Sequence, residues 1–341
     1  MGNKFKIGCL LLVVILIAAI PLVPQLGISL GMMIFIGLYT IVVLGMLLLM
    51  GYAGQISLGH AAFYGLGAYT TTILTTKLGF PVLIGVVAGC LIPGVIAAII
   101  GKPTLKLKEH YLALATLGFG IVVYILFNEG GELTGGPSGT FGIPSLSIGS
   151  WLINDDISFY YVVWVIVAVI MIITRNIMNS RVGRALRAIH SSEVAAEAMG
   201  VDTAKYKLQV FIFSALLAGL AGSLYAHYVT FISPSPFSFK VSVEFVLMTV
   251  VGGMASIWGP VLGVTLVIVS SEMLKVYLPT IMPQAGGEFE IIIFGVILVL
   301  IMIFLPEGLT SLREVFKGRL LKVRAKKEQV KQGITEGKVR A

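Results

Sequence analysis

Long apolar stretches alternate with short polar connections along most of the chain. About twenty apolar residues are enough to cross a bilayer as one helix. Stretches of this kind lie at about 7–25, 29–50, 82–101, 110–127, 158–175, 207–230 and 289–305. The pattern therefore predicts an all-α protein, a polytopic bundle of transmembrane helices.

Two further regions are ambiguous in length. Residues 58–77, "LGHAAFYGLGAYTTTILTTK", are apolar but interrupted by polar side chains, and 241–278 is too long for one span and is broken by "GGMASIWGP". If the first region is one span and the second is two, the chain has about ten spans and both termini lie on the same side.

The distribution of basic residues supports that count. With both termini cytoplasmic, 21 of the 24 Lys and Arg fall in cytoplasmic segments, and only Lys77, Lys240 and Lys275 lie outside or at outer span ends. Cytoplasmic loops of membrane proteins retain such an excess of positive charge. The same rule accounts for the net charge of +8, so we expect no nucleic-acid partner. We expect the lipid bilayer to surround the protein.

These assignments divide the chain into a membrane domain, 1–312, and a basic cytoplasmic tail, 313–341. The domain has a polar cytoplasmic loop at about 176–206. Its Gly-, Pro- and Ser-rich loop at about 128–157 is extracytoplasmic and is expected to be ordered or semi-ordered. Only 12% of the residues are charged, against about 25% in soluble domains, which excludes a water-soluble protein.

Two glycine-rich segments interrupt the apolar pattern, one in each half of the chain: "GYAGQISLGHAAFYGLGAY" (51–69) and "VVGGMASIWGPVLG" (250–263). Such segments point to a translocation path. Candidate path residues are Gln55, Ser57, His60, Glu244, Gly252 and Gly253. The polar groups could equally form hydrogen bonds between packed helices, and the glycines could serve close helix packing.

Intramembrane charges and catalytic motifs are sparse. Glu244 and Glu272 are the acidic residues within spans, and Glu272 can pair with Lys275 one turn later. The sequence contains no HExxH motif, no Cys-rich metal spacing and no phosphate-binding loop. It therefore predicts no metal site and no bound cofactor, and nothing in it argues for an enzyme, although an intramembrane enzyme stays an alternative.

The polar segment 181–200, "RVGRALRAIHSSEVAAEAMG", predicts two short helices. Val182, Ala185, Leu186 and Ile189 form an apolar stripe in the first. Ser191 or Ser192 can cap the second, Gly200 can end it, and Asp202 or Thr203 can cap the next span. Such helices could rest on the membrane surface. Because alanine buries little area in lipid but lets another protein approach closely, docking of a cytoplasmic partner is favoured.

Six motifs together resemble a known family. In order they are "GYAGQISLGHAAFYGLGAY", "YLALATLGFG", "LTGGPSGTFGIP", "GRALRAIHSSEVAAEAMGVDTAKYK", "VVGGMASIWGPVLG" and "FLPEGL". From about 28 to 312 the chain resembles the branched-chain amino-acid ABC transporter permeases, specifically the larger of the two membrane subunits. Permeases for urea and short-chain amides are closely similar, so that substrate class stays an alternative, as does an ion-coupled secondary transporter using Glu244 and Glu272.

The resemblance implies a heteromeric importer in a bacterial or archaeal plasma membrane. Its expected partners are a second permease subunit, two cytoplasmic ATPases that use ATP and Mg²⁺, and an extracytoplasmic substrate-binding protein. The docking motif of such permeases resembles "EAAxxxG", which Ala195, Ala196 and Gly200 match, while Val194 stands at the position of the Glu, with Glu193 one residue early. The residues expected to couple to the ATPases are Arg184, Arg187, Ala188, Glu193, Ala195, Ala196 and Gly200.

Overall fold

The computed structural model of the protein describes residues 29–105, 109–149 and 151–281, together with positions 295, 296, 299, 303, 308 and 309. These ranges are mainly helical, as predicted. Their α-helices, numbered in chain order, are α1 (Leu30–Met46), α2 (His60–Thr72), α3 (Val82–Thr104), α4 (Glu109–Glu129), α5 (Asp156–Asn179), α6 (Arg181–Ser191), α7 (Glu193–Ala198), α8 (Thr203–Val229), α9 (Phe239–Gly252) and α10 (Gly259–Ile281). Two helices continue as π-helical turns, α1 through Leu47–Tyr52 and α2 through Ile73–Lys77.

Six helices of the described ranges are long and apolar enough to cross a membrane. They cover Leu30–Tyr52, Val82–Thr104, Tyr111–Glu129, Asp156–Asn179, Thr203–Val229 and Gly259–Val276. The region 241–278, predicted as two spans, divides into two helices, because α9 ends at Gly252 and α10 begins at Gly259. Of the two, α10 is among the six and α9 is not. The segment predicted as a span at 58–77 is helical from His60 to Lys77, but it is not among the six.

The span predicted at 7–25 and the tail 313–341 lie outside the described residues, as does most of the span predicted at 289–305. The count of ten spans and the cytoplasmic position of both termini therefore stay predictions.

The core of the described bundle is built around α1 and α8. Among the 18 most apolar consecutive residues of each candidate span, 78% are buried in α1 and 67% in α8, against 22% in α4. Helices α3, α4, α5 and α10 are less buried, at 22–39% in the same comparison, so they lie at the periphery and turn most of their apolar side chains outward, as lipid-facing helices do.

Glycines let α2 and α8 approach closely. A Cβ atom added at Gly222 would lie 1.8 Å from the Tyr64 carbonyl oxygen, and one at Gly67 would lie 2.1 Å from the Gly219 carbonyl oxygen. No side chain fits at such separations. These glycines therefore serve backbone-to-backbone packing, which is the main source of close contact between membrane helices.

The bundle has two polar ends. One carries residues 130–155 and is called here the loop end; the other carries residues 180–202 and is called the short-helix end. At the loop end, β1 (Thr140–Phe141) pairs antiparallel with β4 (Phe231–Ile232), and β2 (Ser147–Ile148) pairs with β3 (Trp151–Leu152). His227 Nδ1 lies 2.7 Å from the Pro144 carbonyl oxygen, which ties this loop to the end of α8.

Helix α9 starts inside the bundle rather than at the loop end. Phe237, just before it, is 1% exposed and packs against the rings of Tyr64 and Tyr69 at 5.5 and 5.7 Å. In its first turn, Ser242 Oγ accepts a hydrogen bond of 3.0 Å from the Ala61 amide. With 14 residues, α9 is about 20 Å long, shorter than a bilayer core of about 30 Å.

Candidate functional site

The two short helices predicted between spans are present as α6 and α7. Ser180 Oγ accepts from the amide of Val182 at 3.1 Å and caps α6, and Ser192 Oγ accepts from the amide of Ala195 at 3.3 Å and caps α7. Gly200 has φ of +82°, a left-handed conformation that ends α7 as predicted. Asp202 then caps α8 by accepting from the Lys205 amide at 3.0 Å. The cap at Ser180 was not foreseen, although a serine before a helix is a recognisable signal.

The apolar stripe predicted on α6 holds the helix against the bundle. Leu186 and Ile189 are buried, with exposures of 0% and 4%, and Val182 and Ala185 are half-buried. Of the predicted coupling residues, the structure buries Ala196 and exposes Arg184, Arg187, Ala188, Glu193, Ala195 and Gly200. Most of this set therefore shares one accessible surface on α6 and α7.

Two apolar side chains on this surface were not predicted. Val194 is 79% exposed and Met199 is 85% exposed, although both are large hydrophobic residues. We call the surface formed by α6 and α7, with Val194 and Met199 at its tips, the short-helix surface. The short-helix surface therefore offers a partner apolar contacts beside its polar ones.

Glu193 attaches α7 to the membrane helix that follows. Its carboxylate forms an ion pair with the ammonium of Lys207 on α8, whose side chain is 8% exposed against 44% for that of Glu193. Thr203 adds a hydrogen bond of 2.7 Å from its hydroxyl to Glu197. These two contacts join α7 to the start of α8.

Arg187 attaches α6 to the end of α1. Its Nη1 donates a hydrogen bond of 3.1 Å to the Met178 carbonyl oxygen, and its guanidinium carbon lies 5.6 Å from the centre of the Tyr52 ring. A Cβ added at Gly54 would lie 2.8 Å from Nδ1 of His190, also on α6. Helix α6 thus packs directly on the start of the first glycine-rich segment.

The candidate path residues of that segment are enclosed by helices. Gln55, Ser57 and His60 have exposures of 2%, 0% and 0%. The His60 ring joins Ser57 Oγ at 3.1 Å and Ser214 Oγ at 2.5 Å, so it connects α2 to α8. Gln55 Oε1 is buried without a hydrogen-bond partner among the described residues. His60 therefore forms an interhelical hydrogen bond, one of the two roles that the sequence left open, while Ser57 supports the His60 ring from the segment before α2.

The two glycine-rich segments lie side by side at the short-helix end. A Cβ at Gly51 would lie 2.5 Å from the Met254 carbonyl oxygen, which follows α9. Gly252 packs on the Gly259 carbonyl oxygen across the break between α9 and α10, and Gly253 has φ of +100°. The first segment thus contacts α6 through Gly54 and the α9–α10 break through Gly51. The sequence predicted one such segment in each half of the chain but not their contact.

The acidic residues of the spans lie apart from these breaks. Glu272 pairs with Lys275 at 3.0 Å, as predicted, and Glu244 lies 4.0 Å from Lys240 one turn earlier on α9. Glu244 is thus separated along α9 from Gly252 and Gly253, and the six candidate path residues do not form a single cluster. Among the described residues, no group of three or more His, Cys, Asp or Glu could hold a metal ion.

Comparison with known proteins connects these features to one family. A family model described as "Branched-chain amino acid transport system / permease component" matches residues 28–305. The chain is 30% identical to the high-affinity branched-chain amino acid transport system permease protein LivM of Salmonella typhimurium, over 90% of this chain and 75% of that protein. Identity to LivM of Escherichia coli is 32%, over 80% of this chain and 67% of that one.

A second kind of permease is also related. The high-affinity branched-chain amino acid transport system permease protein LivH of Escherichia coli is 24% identical, over 85% of this chain and 95% of its own length. No solved structure matches the chain.

Proposed function

The chain belongs to the family of branched-chain amino acid transport permeases, and on that basis we propose that it imports leucine, isoleucine and valine as one subunit of an ATP-driven transporter. Its role is that of a membrane permease. In the proposed assembly a second permease subunit completes the translocation path and two ATPase subunits supply the energy. An extracytoplasmic binding protein delivers the amino acid.

The short-helix surface carries the proposal of ATPase docking. It is capped at Ser180 and Ser192, fixed to the bundle through Arg187 and Glu193, and exposes Val194 and Met199. A surface that is rigidly attached yet apolar at its tips suits a partner that must move membrane helices. Hydrolysis of ATP then takes place in the partner, and this chain needs no cofactor of its own.

The orientation follows from charge. Of the described Lys and Arg, seven lie at or near the short-helix end, namely Lys102, Arg175, Arg181, Arg184, Arg187, Lys205 and Lys207. Lys77 and Lys275 lie toward the loop end, and Lys240 lies in the first turn of α9. The positive-inside rule supports a cytoplasmic short-helix end in a bacterial or archaeal plasma membrane. In this arrangement both termini are cytoplasmic, the spans number about ten, and the loop 128–157 faces the binding protein.

The proposed path runs along α9. Glu244 lies in its first half, while Gly252 and Gly253 end it beside the segment that holds Gln55, Ser57 and His60. Because α6 packs on Gly54 and the α9–α10 break packs on Gly51, a displacement of the short-helix surface reaches both glycine-rich segments. These contacts support a mechanism in which closure of the ATPase subunits shifts both glycine-rich segments. This shift switches the path between an inward-facing and an outward-facing state.

The proposal is tested with the complete transporter in proteoliposomes. The chain is co-purified with its permease and ATPase partners, and ATP-driven uptake of radiolabelled leucine is measured with the binding protein present. Gly200→Arg places a cation on the docking surface and is expected to abolish both ATPase binding and uptake. Gly200→Asn is the matched control, because asparagine tolerates the left-handed backbone and adds no charge.

Three results would contradict the proposal. If Gly200→Arg binds the ATPase subunits as well as Gly200→Asn does, the docking site is not on α7. Leucine uptake driven by an ion gradient without ATPase subunits would show a secondary transporter. ATP-driven uptake of urea without uptake of leucine would show that the substrate is of another class.

A further inference from the structure

A cavity of about 690 Å³ opens between α1, α9 and α10, toward the loop end. Its size is within the range of about 300–1,000 Å³ typical of small-molecule sites. From Lys240 to Met248, the wall formed by α9 extends about 12 Å along the helix axis at 1.5 Å per residue. The cavity is therefore deep enough to admit a small solute into the bundle.

Both signs of charge line the upper part of the cavity. Lys240 and Glu244 come from α9, and Glu272 and Lys275 from α10. The Lys240–Glu244 separation of 4.0 Å is at the limit of an ion pair, and the Glu272–Lys275 pair at 3.0 Å is half exposed. Such exposed pairs are worth little, so a ligand charge can replace a partner at low cost.

The lower walls of the cavity are apolar. They are formed by Met32, Phe35 and the ring of Tyr39 of α1, Met248 of α9, and Val267 and Ile268 of α10, and the Tyr39 hydroxyl is the polar group among them. Of the four charged groups, the Glu244 side chain is the most enclosed, with 27% exposure against 63% for Lys240. The Glu244 carboxylate is therefore the least solvated of the four charged groups.

We propose that this cavity is a receiving site for a zwitterionic amino acid with an apolar side chain. The α-ammonium group binds to Glu244 and Glu272, the α-carboxylate binds to Lys240 and Lys275, and the side chain lies against Phe35, Met248 and Ile268. The inference rests on the proposed function, since it assigns to this subunit a site for the transported substrate. Two positive and two negative groups above an apolar floor complement that ligand in both charge and polarity.

The first test measures equilibrium binding of radiolabelled leucine to the detergent-solubilised complete transporter without its binding protein. We expect saturable binding that leucinamide, which lacks the carboxylate, and 4-methylpentanoate, which lacks the ammonium, displace at least about tenfold less well than leucine. This comparison needs no substitution. Equal displacement by either analogue, or absence of saturable leucine binding, would overturn the proposed site.

The second test uses variants of the cavity. Glu244→Gln is expected to weaken leucine binding at least about fivefold, because a charge-assisted contact becomes a neutral one. Ile268→Trp narrows the apolar floor and is expected to weaken leucine binding more than valine binding. Glu129→Gln removes an exposed carboxylate at the same end of the bundle without touching the cavity, and it is expected to bind leucine like the native protein.

Two further outcomes distinguish the substrate site from a lipid site and from a failure of the proposed function. A phospholipid with an ethanolamine headgroup also offers an ammonium, an anionic group and an apolar body. If that lipid occupies the cavity, the effect of Glu244→Gln on transport will depend on the phosphatidylethanolamine content of the vesicles and not on the leucine concentration. This result would overturn the substrate site. ATP-driven leucine uptake by the native transporter, combined with unchanged binding in both cavity variants, would overturn the site but leave the proposed function standing.

Discussion

The guanidinium carbon of Arg187 lies 5.6 Å from the centre of the Tyr52 ring, and this contact joins α6 to the end of the central helix α1. The same side chain donates to the Met178 carbonyl oxygen at the end of α5. One residue of the short-helix surface therefore bridges two membrane helices. In a permease driven from its cytoplasmic surface, such a bridge is where partner movement would enter the bundle.

We expect Arg187→Ala to lower the amount of leucine that is transported per ATP hydrolysed, while the ATPase subunits stay bound to the permease. A cation–aromatic contact contributes about 0.5–2 kcal/mol, enough to reduce coupling a few-fold. Tyr52→Phe keeps the ring face and is expected to have a small effect. Tyr52→Leu removes the face but leaves the hydrogen bond of Arg187 to Met178, so its effect should lie between those of Tyr52→Phe and Arg187→Ala. The measurement is the ratio of uptake to ATP hydrolysis in proteoliposomes, with Arg181→Ala, an exposed arginine on the same helix, as control. Equal ratios in all four variants would show that this contact carries no coupling.

Local patterns in the sequence predicted much of the short-helix surface. Helix α6, helix α7, the cap at Ser192 and the stop at Gly200 all depend on residues within a few positions of one another. Such features are determined by helix periodicity and by the hydrogen-bonding needs of helix ends. For the same reason the break between α9 and α10 was predictable from its glycines.

Contacts between distant parts of the chain were not predictable. His60 and Ser214 are 154 residues apart, and Glu193 and Lys207 are 14 apart on different helices. Sequence polarity suggests that such groups need a partner, but only the arrangement of the helices decides which one. The exposure of Val194 and Met199 belongs to the same class, because hydropathy favours burial of both.

The ion pair between Glu193 and Lys207 predicts unequal effects of its two single substitutions. Glu193→Gln leaves a nearly buried ammonium without a counter-charge, and we expect it to lower the free energy of unfolding by about 1–2 kcal/mol. Lys207→Met replaces the buried ammonium with an apolar group and leaves a half-exposed carboxylate, so its effect should be close to zero. Thermal unfolding of the detergent-solubilised variants checks this order, and a larger loss in Lys207→Met would contradict it.

The close packing of α2 on α8 predicts a severe effect of one methyl group. Gly222→Ala would place a Cβ 1.8 Å from the Tyr64 carbonyl oxygen, so the two backbones must separate. We expect a loss of stability of about 3 kcal/mol or more and a strongly lowered yield of folded protein.

Gly118→Ala is the control for that substitution. Gly118 lies in α4 and has no described atom within 4 Å of an added Cβ, so alanine should be neutral or slightly stabilising there. Size-exclusion profiles and melting temperatures of the two variants are compared in the same detergent. Similar behaviour of both variants would show that helix propensity, and not interhelical distance, determines the response to alanine.

The exposed apolar tips of the short-helix surface predict a direct contribution to ATPase affinity. Full burial of a side chain such as Val or Met contributes about 1.5–3 kcal/mol, and each 1.4 kcal/mol is a tenfold change in affinity. Val194→Ser and Met199→Ser are therefore each expected to weaken binding of purified ATPase subunits about tenfold, without lowering the melting temperature of the permease, because both side chains are exposed in the described structure. Leu133→Ser and Leu152→Ser are matched controls, since both leucines are 56% exposed but lie at the loop end. Binding is measured on the reconstituted permease pair, and weakening by the loop-end variants to the same degree would mean that surface hydrophobicity in general, rather than α7, determines the affinity.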